Sequence, residues 1–239
     1  KEEDWEFYGS LMMRFDPYHH LRSIHQCHKM YDHTRPWITH CSIQRQDVYR
    51  TAEYTNEWQK EYGKPIVLDE IAYEGNIQHG WGNISGEELI RRFWEGALRG
   101  GYPGHGETFM NPNDILWWSH GGKLHGESWK RVGFLLDVLT AVPGNGLKLA
   151  ETNMWDWDCV HAVPAEAGSA ENIDYHLYYY SFMHPSFRDF QFPEDETWQV
   201  EAIDTWNMTI TDCGLKSGKF RVELGAKPYM AVRLKKITA

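Results

Sequence analysis

The sequence predicts two units in series: the C-terminal half of a (β/α)8 barrel over residues 1–143, then an antiparallel β-sandwich over residues 147–239. Three observations lead there. Before Pro143, apolar residues recur at helical spacing between short strand-like runs with no hairpin signals, the grammar of a parallel α/β unit. The strand ends in that region are polar, as where a barrel places its chemistry: His25-Gln26, His40, Asp69-Glu70 and His105-Gly106-Glu107. After Pro143-Gly144-Asn145-Gly146, aromatics alternate between turns and no long amphipathic pattern remains. A full barrel takes about 250 residues, so the first region has room for roughly half of one. A doubly wound sheet is less consistent, because no G-x-G-x-x-G follows a strand.

Taken in order, Asp4 can cap a helix whose inner face carries Phe7, Tyr8, Leu11, Met12 and Phe15, and Asp16-Pro17 stops it. Strands are predicted at Leu21 to His25 and Trp37 to Ile43. A helix from about Asp47 to Tyr62 ends at Gly63, and Lys64-Pro65 leads into the strand Ile66 to Glu70. Ser85 and Glu88 form a capping box for a helix lined by Leu89, Ile90, Phe93, Trp94, Ala97 and Leu98, with Gly100 as its stop. A strand near Tyr102 to Phe109 and a helix from about Ser128 to Thr140 complete this region. In the second region the strands are Tyr175 to Tyr180, Trp198 to Ile203, Trp206 to Ile210, Lys219 to Leu224 and Tyr229 to Leu234, separated by turns such as Asp212-Cys213-Gly214.

Charge narrows the partners. With 24 Lys and Arg against 34 Asp and Glu, the net charge is −10, so the chain cannot collect the counterion-release energy of nucleic-acid binding. No apolar run approaches the roughly 20 residues of a membrane-spanning helix. Nothing near Lys1 reads as a signal peptide, which points to the cytoplasm rather than to secretion. The chain opens on helix-like sequence without a Met, however, so its true start is expected upstream. Cys27, Cys41, Cys159 and Cys213 lack C-x-x-C spacing and read as free, mostly buried thiols.

Glu70 is the sharpest candidate for chemistry. It ends a buried strand and shares a face with Ile66 and Leu68, whereas Asp69 has opposite parity and reads as structural. The bland alternative for Glu70 is a salt bridge or helix cap at a strand terminus. Glu74, in the loop that follows, can meet either ligand or solvent. His105 and Glu107 share one face, with Gly106 permitting close backbone approach. Trp117-Trp118 supplies two indoles, one suited to the core and one to stacking beneath a sugar ring, and Trp81 between glycines offers a second platform. Thirteen histidines, including His25 and His28 at i, i+3, raise a metal reading, but H-E-x-x-H is absent and no metal is expected. There is neither a G-x-S-x-G elbow nor a P-loop.

The runs Lys64-Pro65-Ile66-Val67-Leu68-Asp69-Glu70, Tyr73-Glu74-Gly75, Gly80-Trp81-Gly82-Asn83-Ile84, Arg91-Arg92-Phe93-Trp94-Glu95-Gly96, Gly104-His105-Gly106-Glu107-Thr108 and Leu116-Trp117-Trp118 resemble a bacterial family of cellulase-like glycoside hydrolases related to clan A. Asp16-Pro17, His20 to His25 and Pro36 to His40 extend the resemblance over nearly all of residues 5–140. It implies a retaining hydrolase of β-linked poly- or oligosaccharides, with a barrel followed by a β-sandwich. Glu70 would be the nucleophile, with His25, His40, His105 and Glu107 on sugar hydroxyls and Trp117 or Trp118 under the ring. It implies a carbohydrate partner and no cofactor. The acid/base Glu would lie upstream of Lys1, since Glu2 and Glu3 follow no strand, so these residues alone are not expected to turn over substrate. Two rivals remain: a metal-dependent hydrolase using the histidines, which a chelator would inactivate, and a non-catalytic carbohydrate-binding protein, which would bind without turnover.

Overall fold

The computed structural model describes residues 1–26, 29–44, 47, 49–113, 115–116, 123–150, 158–168 and 173–237. Its first region comprises α1 (Glu2–Phe15), β1 (His25–Gln26), β2 (Cys41–Gln44), α2 (Thr55–Tyr62), β3 (Ile66–Glu70), β4 (Glu74–Gly75), α3 (Gly86–Leu98), β5 (Tyr102–Pro103), β6 (Glu107–Thr108) and α4 (Ser128–Thr140). The second comprises β7 (Leu147–Leu149), β8 (Val160–Pro164), β9 (Tyr175–Tyr179), β10 (Phe187–Gln191), β11 (Trp198–Asp204), β12 (Thr209–Lys216), β13 (Lys219–Glu223) and β14 (Met230–Lys236).

The expected half of a (β/α)8 barrel is not found. Four parallel strands form an open sheet in the order β1-β2-β3-β5, a separate two-stranded parallel pair joins β4 to β6, and most strands are antiparallel. The physical reason lies in strand length. Closing a sheet needs strands that tilt and stagger over several residues, whereas β1, β5 and β6 have two residues each, and the expected strand from Tyr102 to Phe109 is broken at Gly104-His105-Gly106. The first helix is corrected in the same way. Its presumed inner face, Phe7, Tyr8, Leu11, Met12 and Phe15, is exposed. The helix is instead seated through Gly9, where an added Cβ would fall 2.4 Å from the Trp37 ring, and through Glu6, which accepts from Tyr31 Oη at 2.8 Å.

Helix α3 joins the two regions. Ser85 Oγ accepts from the Glu88 N–H at 3.2 Å, which is one half of the expected capping box, while the Glu88 carboxylate turns to Arg91 and Arg92; eleven of the thirteen residues that follow Ser85 are buried. One side meets the parallel sheet, with Gly96 packed against Leu68; the other meets the antiparallel sheet, with Trp94 5.2 Å from the Tyr179 ring. A single apolar core therefore runs from Cys41, Ile66 and Leu68 through Leu89, Phe93 and Trp94 to Leu177, Ile203 and Ala231. Three charged residues of α3, Arg91, Arg92 and Glu95, are buried too, and paired. Arg91 meets Glu88 and Glu53, while Arg92 bonds Glu88 at 2.7 Å and the Ile71 carbonyl at 2.8 Å. This last bond holds the backbone immediately after Glu70.

The antiparallel sheet runs β12-β11-β14-β9-β8-β7, and its last strand in chain order, β14, lies between β11 and β9. Period-two alternation sends Tyr175, Leu177 and Tyr179 toward α3 and sends Tyr178 and Tyr180 to a second core, shared with Phe190 and Val222 of the β10–β13 ribbon. The expected turn at Asp212-Cys213-Gly214 is a bulge inside β12, with Gly214 at φ +77°. Strands β7, β8 and β10 lack the alternation the sequence reading relied on, or are too short to show it.

In the second core, His161 Nε2 lies 2.9 Å from His176 Nδ1, and both rings are buried beside Tyr178. Such a pair shares one proton between the facing nitrogens. Burial pushes His161 down to about 4; burial and then the neighbouring His161 charge push His176 down to about 3. Below pH ~6.5 the unfolded chain binds protons that the folded chain refuses, so stability falls as pH drops from there toward the folded values. The expected loss is on the order of 3 kcal/mol or more by pH 4, checked by urea melts against pH; a double His161→Phe, His176→Phe variant should show a much flatter profile.

Candidate active site

Glu70 owes its position to a register shift. Ser42 pairs with Val67 but Gln44 pairs with Glu70, so β3 carries one extra residue where it leaves β2. A bulge suspends strict alternation, and Asp69 and Glu70 both reach the same polar cluster. His25, from β1, places Nδ1 3.0 Å from Asp69 Oδ2 and Nε2 2.7 Å from Gln44 Oε1; Gln44 Nε2 then donates to Glu70 Oε2 at 2.6 Å. Ser42 Oγ also donates to Asp69. Burial opposes a charge on His25, but the hydrogen bonds to Asp69 and Gln44 and the charges of Asp69 and Glu70 prevail and raise its pKa. Each ring nitrogen faces an acceptor, Asp69 Oδ2 or Gln44 Oε1, so both are placed to donate and neither offers a lone pair to a metal. Tyr73 contributes a hydroxyl to Glu70; burial, reinforced by that hydrogen bond, raises the phenol well above its usual range.

Strands β4 and β6 set two more carboxylates opposite each other, Glu74 across from Glu107. Glu74 is buried and caps α4 from outside the helix. It accepts from the N–H of Glu127 at 2.9 Å, from the N–H of Ser128 at 3.0 Å and from Ser128 Oγ at 2.6 Å. Gly126 makes room for it, since a Cβ there would fall 2.2 Å from Glu74 Oε2. Glu107 Oε2 accepts from the N–H groups of His125 at 2.7 Å and Gly126 at 3.0 Å. His105 Nε2 stands 2.9 Å from Ser128 Oγ; burial lowers the pKa of this imidazole against the charges of Glu107 and Glu74.

These elements enclose a cleft of about 390 Å³ walled by Gln44, Glu70, Tyr73, Trp81, His105, Gly106, Glu107 and Thr108. Three of the expected residues, Glu70, His105 and Glu107, meet there, and His25 stands behind Gln44. His40 does not join them. Strand β2 begins after it, at Cys41 opposite Ile66, so His40 lies at the far end of the strand from Gln44, with Nδ1 3.2 Å from Thr39 Oγ1. Trp117 and Trp118 lie outside the described residues. Trp81 forms a wall, its ring parallel to His79 and edge-on to Tyr73. Glu74 belongs to the scaffold. The sequence reading missed Gln44 and Tyr73, and it missed Asp69 as a partner of His25. A larger cleft of about 670 Å³ lies between α3 and Phe182, but the α3 charges along it are paired, Glu88 with Arg91 and Arg92 and Glu95 with Arg99. Among the described residues no group of three or more His, Cys, Asp or Glu could hold a metal ion, and no helix is long and apolar enough to cross a membrane.

A "putative glycoside hydrolase" from Bacteroides vulgatus superposes on 99% of this chain with a TM-score of 0.85 and 30% identity. The chain has a glycoside-hydrolase-related fold. A further glycoside hydrolase gives a TM-score of 0.69 at 12% identity over 97% of the chain, and a glycoside hydrolase family 5 protein from Bacteroides vulgatus gives 0.65 at 14% over 97%. The chain spans 49%, 61% and 58% of the lengths of these three structures, respectively. Residues 155–235 match a family described as a domain of unknown function (DUF5605). No curated protein matches.

Proposed function

We propose that this chain supplies the nucleophile of a retaining glycoside hydrolase acting on β-linked poly- or oligosaccharides, and that Glu70 is that nucleophile. The observation that carries the reading is the setting of Glu70: a carboxylate at a strand end, on the wall of a cleft, oriented by Gln44 and Tyr73 with His25 behind them. Such a group can form a bond to an anomeric carbon as the glycosidic bond breaks, and water then releases the sugar. The leaving oxygen must receive a proton from a second carboxyl group about 5–5.5 Å away. Glu107 shares the cleft, yet its Oε2 is held by two backbone N–H groups and its Oε1 is buried. The acid/base is therefore assigned to polypeptide preceding residue 1, a reading supported by a similar structure of roughly twice this length and by the exposed apolar face of α1.

The test is a covalent trap. The longer polypeptide is incubated with activated 2-deoxy-2-fluoro β-glycosides of the gluco, manno, galacto and xylo series, then digested and analysed by mass spectrometry. An adduct on the peptide containing Glu70 is expected. Turnover with the adduct on another carboxylate overturns the assignment, and binding without adduct or turnover favours the carbohydrate-binding alternative.

A further inference from the structure

Ser128 Oγ carries one proton. At 2.6 Å from Glu74 Oε2, an acceptor only, that proton is committed to the carboxylate. The same oxygen lies 2.9 Å from His105 Nε2 and must accept there, so Nε2 bears the hydrogen. A neutral imidazole with Nε2–H has a bare lone pair on Nδ1, which has no partner among the described residues. The neutral form agrees with the burial of His105. Glu107 adds negative charge behind the same wall: it is nine-tenths buried, its Oε2 accepts from two backbone N–H groups, and its Oε1 has no hydrogen-bond partner among the described residues. With Glu70, the described lining holds two carboxylates and no Lys or Arg.

We propose that Glu74, acting through Ser128, is a positioning residue that fixes His105 with Nδ1 as an acceptor, and that the resulting acceptor wall selects a neutral, hydroxyl-donating sugar over an acidic one. The ligand half of this proposal rests on the carbohydrate reading of the cleft; the relay does not. A neutral sugar brings hydroxyl donors to His105 Nδ1 and to Glu70. A uronic acid brings a third carboxylate to a wall that already carries two, without a cation in that lining to meet it.

The relay is tested by nitrogen NMR on the chain labelled at histidine. At pH 7, His105 should show a protonated Nε2 and an unprotonated Nδ1. Ser128→Ala, which keeps the backbone donors to Glu74, should give mixed tautomers. A protonated Nδ1 in the parent chain, or an unchanged tautomer in Ser128→Ala, overturns the relay. The parent measurement decides even if the variant does not fold. The selection is tested by chemical-shift titration with methyl β-glucoside and methyl β-glucuronide, and with the matching galactoside and galacturonide. The acidic member of each pair should bind at least about tenfold more weakly. Equal binding within both pairs, with a covalent adduct on Glu70, overturns the selection and leaves the hydrolase reading standing. The expected tautomer with no binding of any of the four sugars overturns the selection and counts against the hydrolase reading.

Discussion

Glu70→Gln in the longer polypeptide is expected to lower turnover by at least about a thousandfold while leaving the fold intact. Glutamine keeps the volume of the side chain and can turn its carbonyl oxygen toward Gln44 Nε2 and the Tyr73 hydroxyl, so the bonds that orient the group survive. What is lost is the anionic oxygen that the proposed mechanism uses to attack the sugar. The melting temperature should stay within about 2 °C, since the side chain remains satisfied and of unchanged shape. Glu70→Ala adds a chemical signature. The vacated space admits azide, which should restore part of the turnover of an activated β-glycoside and yield the α-glycosyl azide. Full activity of Glu70→Gln on every glycoside that the parent cleaves would end the nucleophile assignment.

Glu74→Ala is expected to be the most destabilising single change at the site. It takes the acceptor from the N–H groups of Glu127 and Ser128 and from the Ser128 hydroxyl, at a cost of about 1–3 kcal/mol for each donor that stays buried and unmet. It also removes a negative charge from the amino end of α4, worth about 0.5–1 kcal/mol. Water entering the vacated space recovers part of this, leaving a net loss of about 4 kcal/mol. At about 2–4 °C per kcal/mol for a chain of this size, the melting temperature should fall by about 8–16 °C. A thermal melt followed by circular dichroism checks it; a change below about 2 °C would mean that α4 does not depend on this cap.

The same two glutamates show what the sequence could and could not reveal. The place of Glu70 at the end of β3 was legible because the signal is local: an apolar run closing on a carboxylate after Lys64-Pro65. The start of helix α3 was legible for the same reason, through Ser85, and so was the end of α2 at Gly63, which takes φ +63°. Glu74 was not, because a helix cap offered from 53 residues away leaves no pattern in either segment. Asp69 was misread because alternation fails at the one-residue bulge, which only pairing with β2 reveals. His40 was misplaced because pairing, not composition, sets where β2 begins. The barrel was over-read from polar strand ends, which specify where chemistry sits but not how many strands surround it.

The position of β14 bears on how the molecule can be made. A ribosome releases the chain from its amino end, and the strand that unites the antiparallel sheet comes after all seven others in it and its ribbon. Until Met230 to Lys236 emerge, β11–β12 and β7–β8–β9 are separate pieces, each with a bare edge that β14 will later fill. The nascent chain must therefore carry two open edges, together with incompletely covered aromatics such as Tyr178 and Trp198, from the emergence of β11 and β12 until β14 follows. Yield in cells should depend on translation speed and on chaperones that shield those edges more than on the stability of the finished protein.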